Sequence, residues 1–174
     1  LPVTHKPDLM RHFDQWVTDP QLTRAGLRDF IADPARCGEP FLGRYMVFES
    51  SGSTGEPGIF VHDERALAVY DALEATRRHS PQPWARAFDP MLLSERIAFV
   101  TATEGHFASH AAVQRLRRLR PWLTAQWRSF SILQSAAALV RDLDEFRPTI
   151  IATYPTAAAL LADEAEAGRL QLPL

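Results

Sequence analysis

Four hydroxyls and three glycines stand close together in Ser50-Ser51-Gly52-Ser53-Thr54-Gly55-Glu56-Pro57-Gly58, between two apolar runs. Residues of these types at this spacing suit phosphate. Glycine lets the backbone approach an anion and take positive φ, successive N–H groups form an anion-binding concavity, and Ser and Thr add donors without bulk. The pattern is not the nucleotide loop in which Gly, four residues and Gly-Lys-Ser/Thr open a helix, because no lysine follows. Gly and Ser are also ordinary turn formers, so a hairpin loop without a ligand is the competing reading.

Thr103-Glu104-Gly105-His106-Phe107 follows an apolar run, which puts its side chains at the carboxyl end of a strand, where open α/β sheets place ligands. His106 is the candidate there, against the plainer reading of a histidine at a helix start. His106 and His110 share a helical face with Glu104 nearby, but no third ligand stands at motif spacing, so no metal site is expected. Arg115, Arg117, Arg118 and Arg120 alternate around a helix carrying Leu116 and Leu119, which reads as a solvated basic face, not as a nucleic-acid surface. Cys37 has no nucleophile motif around it, and Ser53 lacks the Gly-x-Ser-x-Gly elbow of serine hydrolases.

The elements that must carry these residues follow from periodicity. Leu9, Phe13 and Trp16 at i, i+4, i+7 predict a first helix, with Thr4 as cap and Pro7 in its first turn. A second helix over 23–32 buries Leu27, Phe30 and Ile31, and a loop with Asp33-Pro34 and Gly38-Glu39-Pro40 follows. Strands at 45–48 and 59–62 flank the glycine loop. Asp63 caps a helix to about residue 78 with Leu67, Tyr70 and Leu73 on one face, ended by Pro81-Gln82-Pro83. Thereafter strands at 96–101, 130–133 and 149–153 alternate with helices at 107–119, 136–146 and 155–168. That alternation predicts α/β layering around a largely parallel sheet.

The 174 residues, 46% of them apolar, can bury one sizeable core, and the formal net charge of −2 supplies no general attraction to nucleic acid or anionic lipid. One cysteine excludes an intrachain disulfide and fits a cytoplasmic setting. The longest apolar stretch is interrupted by Tyr154-Pro155 and falls short of the ~20 residues that a membrane-crossing helix needs.

Ser51-Gly52-Ser53-Thr54-Gly55-Glu56-Pro57 resembles the phosphate-binding loop of adenylate-forming enzymes, the superfamily of the acyl-CoA synthetases, whose pattern is Ser-Gly-Ser/Thr-Thr-Gly-x-Pro-Lys. Gly58 replaces its lysine, which resembles the phenylacetate-CoA ligase and coenzyme F390 synthetase branch. Leu1-Pro2-Val3-Thr4-His5-Lys6-Pro7-Asp8-Leu9 is similar to the Pro-x-Thr-x-Lys-x-x-Leu entry of that branch, and Tyr154-Pro155-Thr156-Ala157-Ala158-Ala159-Leu160-Leu161-Ala162 to its Tyr-Pro-Ser-x-x-x-x-Leu-Ala segment.

The resemblance implies ATP-dependent activation of a carboxylic acid as acyl-AMP and transfer to a thiol such as coenzyme A. Ser51, Gly52, Ser53, Thr54 and Gly55 would bind the ATP phosphates, and Gly105, His106 and Tyr154 would line the acyl or adenylate pocket. The Mg²⁺ ligands of such enzymes lie in segments that this chain does not match. The absence of an initiator methionine and the end at Leu174 read accordingly as the N-terminal part, residues 1–174, of an adenylation domain, inactive by itself. The alternative is a non-catalytic module that keeps the loop and binds a partner or the remainder of the enzyme. A chain that stops inside a sheet leaves a strand without its neighbour, so self-association is expected.

Overall fold

A computed structural model of the chain describes residues 3–50, 57–77, 94–103 and 105–172. The chain divides into two compact units, Leu1–Arg77 with Glu104–Gln114, and Arg78–Thr103 with Arg115–Leu174. Together they hold helices, an antiparallel strand pair and a three-stranded parallel sheet, a mixed α/β composition. Among the described residues no helix is long and apolar enough to cross a membrane.

The first unit begins with α1 (Lys6–Arg11) and α2 (Phe13–Trp16). Periodicity predicts one continuous helix here, but His12 leaves helical geometry at φ −108° and ψ 22°, so the following turn is re-aimed. Met10 and Phe13 are buried, whereas Trp16 lies outside the buried stripe, with its indole N–H on the Leu9 carbonyl at 2.8 Å. The cap position is His5 and not Thr4. Helix α3 (Arg24–Ile31) starts where the Thr23 hydroxyl accepts from the Gly26 amide, and it buries Leu27 and Phe30. These side chains form one core with Met10, Phe13, Val47 and Ile59.

Strands β1 (Met46–Glu49) and β2 (Ile59–His62) pair antiparallel, with Met46 opposite His62 and Glu49 opposite Ile59. Both outer edges are occupied at that last pair. The Glu49 amide donates to the His106 carbonyl at 2.8 Å. The Ile59 amide donates to the Met10 thioether sulfur at 3.2 Å. Helix α4 (Glu64–Arg77) is capped by the Asp63 carboxylate, which accepts from the Ala66 amide at 2.8 Å. Leu67 packs with Cys37, Met46 and Ala111. The expected Leu67, Tyr70 and Leu73 stripe is corrected, because Tyr70 is 62% and Leu73 45% exposed: only the first turn of α4 reaches that cluster. The expected stop at Pro81-Gln82-Pro83 lies outside the described residues.

In the second unit β3 (Ile97–Thr101), β4 (Trp127–Ser131) and β5 (Ile150–Thr153) run parallel in the order β4-β3-β5. The connections are α5 (Ala108–Leu119), whose residues from Arg115 belong to this unit, and α6 (Ala136–Phe146). Helix α7 (Pro155–Glu166) follows β5. One sheet face carries Ala98, Val100 and Phe130 against Leu139, Leu143, Phe146 and Leu161. The other carries Ile97 and Trp127 with Leu123. Ser135 caps α6 through the Ala138 amide, and Arg147, at φ 51°, ends it in the left-handed region.

The structure moves β4 toward the N-terminus of the expected 130–133. Its polar Arg128, Ser129 and Ser131 hide the strand from a reading based on apolar runs, while Leu133, expected inside, is 70% exposed in the turn beyond it. Arg117 is also corrected from a solvated position. Its guanidinium donates through Nε at 3.0 Å and Nη2 at 2.5 Å to the Trp127 carbonyl.

Candidate functional site

Ser51, Gly52, Ser53, Thr54 and Gly55 lie outside the described residues, but the root of their loop is described. The Ser50 amide donates to the Gly58 carbonyl at 2.9 Å, and the Gly58 amide donates to the Ser50 hydroxyl at 2.8 Å. One residue on each side thus clamps the loop where it leaves the strand pair. Gly58 is buried, and a Cβ added to it would lie 3.0 Å from the Phe60 ring and 3.1 Å from Lys6 Cδ. The Lys6 stem therefore lies against the loop root from the start of α1. A lysine absent at position 58 in sequence has a neighbour in space that carries one. Nothing in the periodicity links positions 6 and 58, and only the Pro-x-Thr-x-Lys segment hinted that Lys6 mattered.

Gly105 and His106 reach the same root. Phe107 bridges to Glu49 in parallel fashion, and Gly105 has φ +70°, with Glu49 Oε2 at 3.8 Å from the place its Cβ would take. Burial raises the pKa of the Glu49 carboxyl above its ordinary value. The His106 imidazole is 1% exposed and packs against Phe30, ring centroids 5.6 Å apart. His106 therefore meets the loop root through its carbonyl, while its ring belongs to the packing around Phe30. Among the described residues no group of three or more His, Cys, Asp or Glu is placed to hold a metal ion.

Two histidines make the first unit acid-sensitive. Burial lowers the pKa of His106; the backbone of Arg36 and Ile31 opposes this, yet neither ring nitrogen has a partner in hydrogen-bonding geometry among the described residues. Burial likewise lowers that of His62, whose ring packs between Phe48 and Tyr70 at 5.2 and 5.1 Å, with Asp63 opposing. The unfolded chain binds these protons from the ordinary value of 6.5 downward, before the folded chain does. Stability is therefore full above that value and falls as pH drops toward the folded pKa. Urea unfolding between neutral pH and the onset of carboxylate titration should show this fall, and His62→Phe should flatten part of it. A midpoint that does not change over this window would show that the imidazoles are not held neutral.

Tyr154 belongs to the second unit, whereas Gly105 and His106 belong to the first. It occupies the cap position of α7, right after β5, and its side chain is 39% exposed. The order β4-β3-β5 makes the chain leave β3 toward one side and reach β5 on the other. The carboxyl ends of β3 and β5 thus flank a topological switch point, the usual ligand crevice of an open α/β sheet. The Thr153 hydroxyl there donates to the Val100 carbonyl at 2.7 Å, and the buried Thr101 hydroxyl has no hydrogen-bond partner among the described residues. Comparison of the chain with protein-family models, with curated proteins and with solved structures finds no match.

Proposed function

We propose that this chain belongs to an AMP-forming acid ligase and supplies the part of it that holds the ATP phosphates. The observation that carries the reading is the clamped loop root with a lysine stem packed on it. Ser50 and Gly58 fix the ends of the segment that holds the Gly, Ser and Thr residues, and the stem of Lys6 packs on Gly58. Backbone amides, hydroxyls and one ammonium are what a triphosphate needs for charge neutralisation. In this reading a carboxylate oxygen attacks the α-phosphorus, the α–β P–O bond breaks, and pyrophosphate leaves with the bonding electrons. The sulfur of a thiol, with coenzyme A as the proposed acceptor, then attacks the acyl carbon; the acyl C–O bond to AMP breaks, AMP leaves, and the thiol proton passes to solvent. The residues of this chain bind and orient the phosphates through Ser51, Gly52, Ser53, Thr54, Gly55 and Lys6. Gly105 is the proposed contributor of the first unit to the acyl or adenylate pocket. No step is assigned to the His106 ring, given its burial on Phe30.

The test is acid-dependent exchange of pyrophosphate into ATP by the full-length protein. Lys6→Met keeps most of the stem that packs on Gly58 and removes only the charge. Exchange should fall about 10–100-fold, the value of one charge-assisted contact, with little change in melting temperature. Undiminished exchange in Lys6→Met would remove Lys6 from the site. No exchange with any acid tried, in a well-folded full-length protein, would end the ligase reading.

A further inference from the structure

Among the described residues, a stretch of β4 backbone has no neighbouring strand on the side away from β3. The Ile97 amide donates to the Gln126 carbonyl at 2.8 Å, and the Ile132 amide donates to the Thr101 carbonyl at 3.0 Å. With the parallel register of β3 and β4, these two bonds fix which groups face β3. Arg128 and Phe130 direct their amides and carbonyls toward β3, while Trp127, Ser129 and Ser131 direct theirs away from it. The Trp127 carbonyl is taken by Arg117, and the Ser131 carbonyl receives the Gln134 amide at 3.4 Å. Of the three, only Ser129 has both outward groups without a partner among the described residues.

A groove of about 340 Å³ runs along this edge. It is lined by β4 from Arg128 to Ser131, by Gln134, and by the α6 carboxylates Asp142 and Glu145. The Ser129 hydroxyl and the Gln134 side-chain amide nitrogen are buried without hydrogen-bond partners among the described residues. Donors left in that state cost stability until something supplies acceptors. Consecutive strand residues lining the groove mean that an occupant meets the backbone as well as side chains.

We propose that a second copy of this chain fills the groove, pairing its β4 antiparallel with the first about a two-fold axis at Ser129. Three features select a second copy over an unrelated extended peptide. The strand Trp127–Ser131 is centred on Ser129, so self-pairing aligns both strands over their full length. Ser129 and the partner's Ser129 then exchange both N–H···O bonds, which completes the one residue with two open groups. The groove also carries both signs of charge, Arg128 on the strand and Asp142 and Glu145 on the helix, so each copy offers a cation to the acids of the other. Asp142 is already bonded to Arg141 at 3.2 Å, which leaves Glu145 as the main acceptor for the partner's Arg128. Three strands from each copy would make one continuous sheet. This association does not depend on the ligase reading.

Sedimentation velocity on the chain over a concentration series tests it, with circular dichroism to monitor folding. The chain should dimerise reversibly. Ser129→Pro removes an amide that β3 does not use, and proline is tolerated on an edge strand, so the fold should persist while association weakens at least about tenfold. Arg128→Glu, at an exposed position, should weaken it similarly, and adding Glu145→Lys should restore it. A chain that stays monomeric at about 0.1 mM would overturn the proposal, as would a dimer unaffected by both single substitutions. An acid-lined groove that binds basic extended peptides without self-pairing would appear as the monomeric outcome.

Discussion

Pyrophosphate exchange by the full-length protein is expected to fall about 10²–10⁴-fold when Ser53→Ala and Thr54→Val are combined, at one to three kcal/mol or so for each lost charge-assisted bond. The fold should hardly notice. Both hydroxyls belong to the segment between Ser50 and Gly58, and the clamp that closes this segment uses the Ser50 hydroxyl and backbone groups only. Valine keeps the shape of threonine and alanine keeps the serine Cβ, so the loss is of donors. Exchange and thermal denaturation measured on the same preparation separate the two effects. Unchanged exchange in a folded double variant would dismiss the phosphate role of the loop.

Phe30→Ala should cost about 3–5 kcal/mol, the range for truncating a fully buried phenylalanine. Phe30 is 1% exposed in a core with Met10, Phe13, Leu27, Val47 and Ile59. Its ring meets Phe41 edge-on at 5.3 Å, the His106 ring at 5.6 Å, and the Arg36 guanidinium at 4.2 Å. Removing it opens a cavity and takes away the surface on which His106 is buried. Acid sensitivity should then shift as well, because a hydrated imidazole titrates closer to its ordinary value. Urea titrations at neutral and mildly acidic pH measure both. A loss under about 1 kcal/mol would mean that the helices close over the space, and that Phe30 does not organise this core.

The elements legible in sequence were those with unbroken apolar or β-branched runs. Ile59-Phe60-Val61-His62, Ile97-Ala98-Phe99-Val100-Thr101 and Ile150-Ile151-Ala152-Thr153 are strands as read, and Thr23, Asp63 and Gly168 mark helix boundaries as expected. Strand β4 escaped because Arg128, Ser129 and Ser131 interrupt its pattern, as edge positions permit. The break at His12 escaped because nothing in Leu9, Phe13 and Trp16 announces a residue between them that leaves the helix. For the candidate site, the loop and the Gly105-His106 segment were marked by composition, but their meeting at Glu49 is a tertiary fact. Lys6 stands out in the sequence only as part of the N-terminal segment that carries the resemblance. Its approach to Gly58 depends on how α1 lies on the strand pair, which local spacing does not encode.

The close approach at Gly58 also constrains how this sequence can change over generations. Any side chain there crowds both the Phe60 ring, at 3.0 Å, and the Lys6 stem, at 3.1 Å from its first carbon, so both must yield slightly. A lysine gained at position 58 would thus crowd the stem of the lysine at position 6 and duplicate its charge, while loss of that stem would relieve one of the two close contacts. Lineages sharing this arrangement should keep one of the two lysines and exchange them in concert. Two positions far apart in the chain would then be inherited as a single steric and ionic unit.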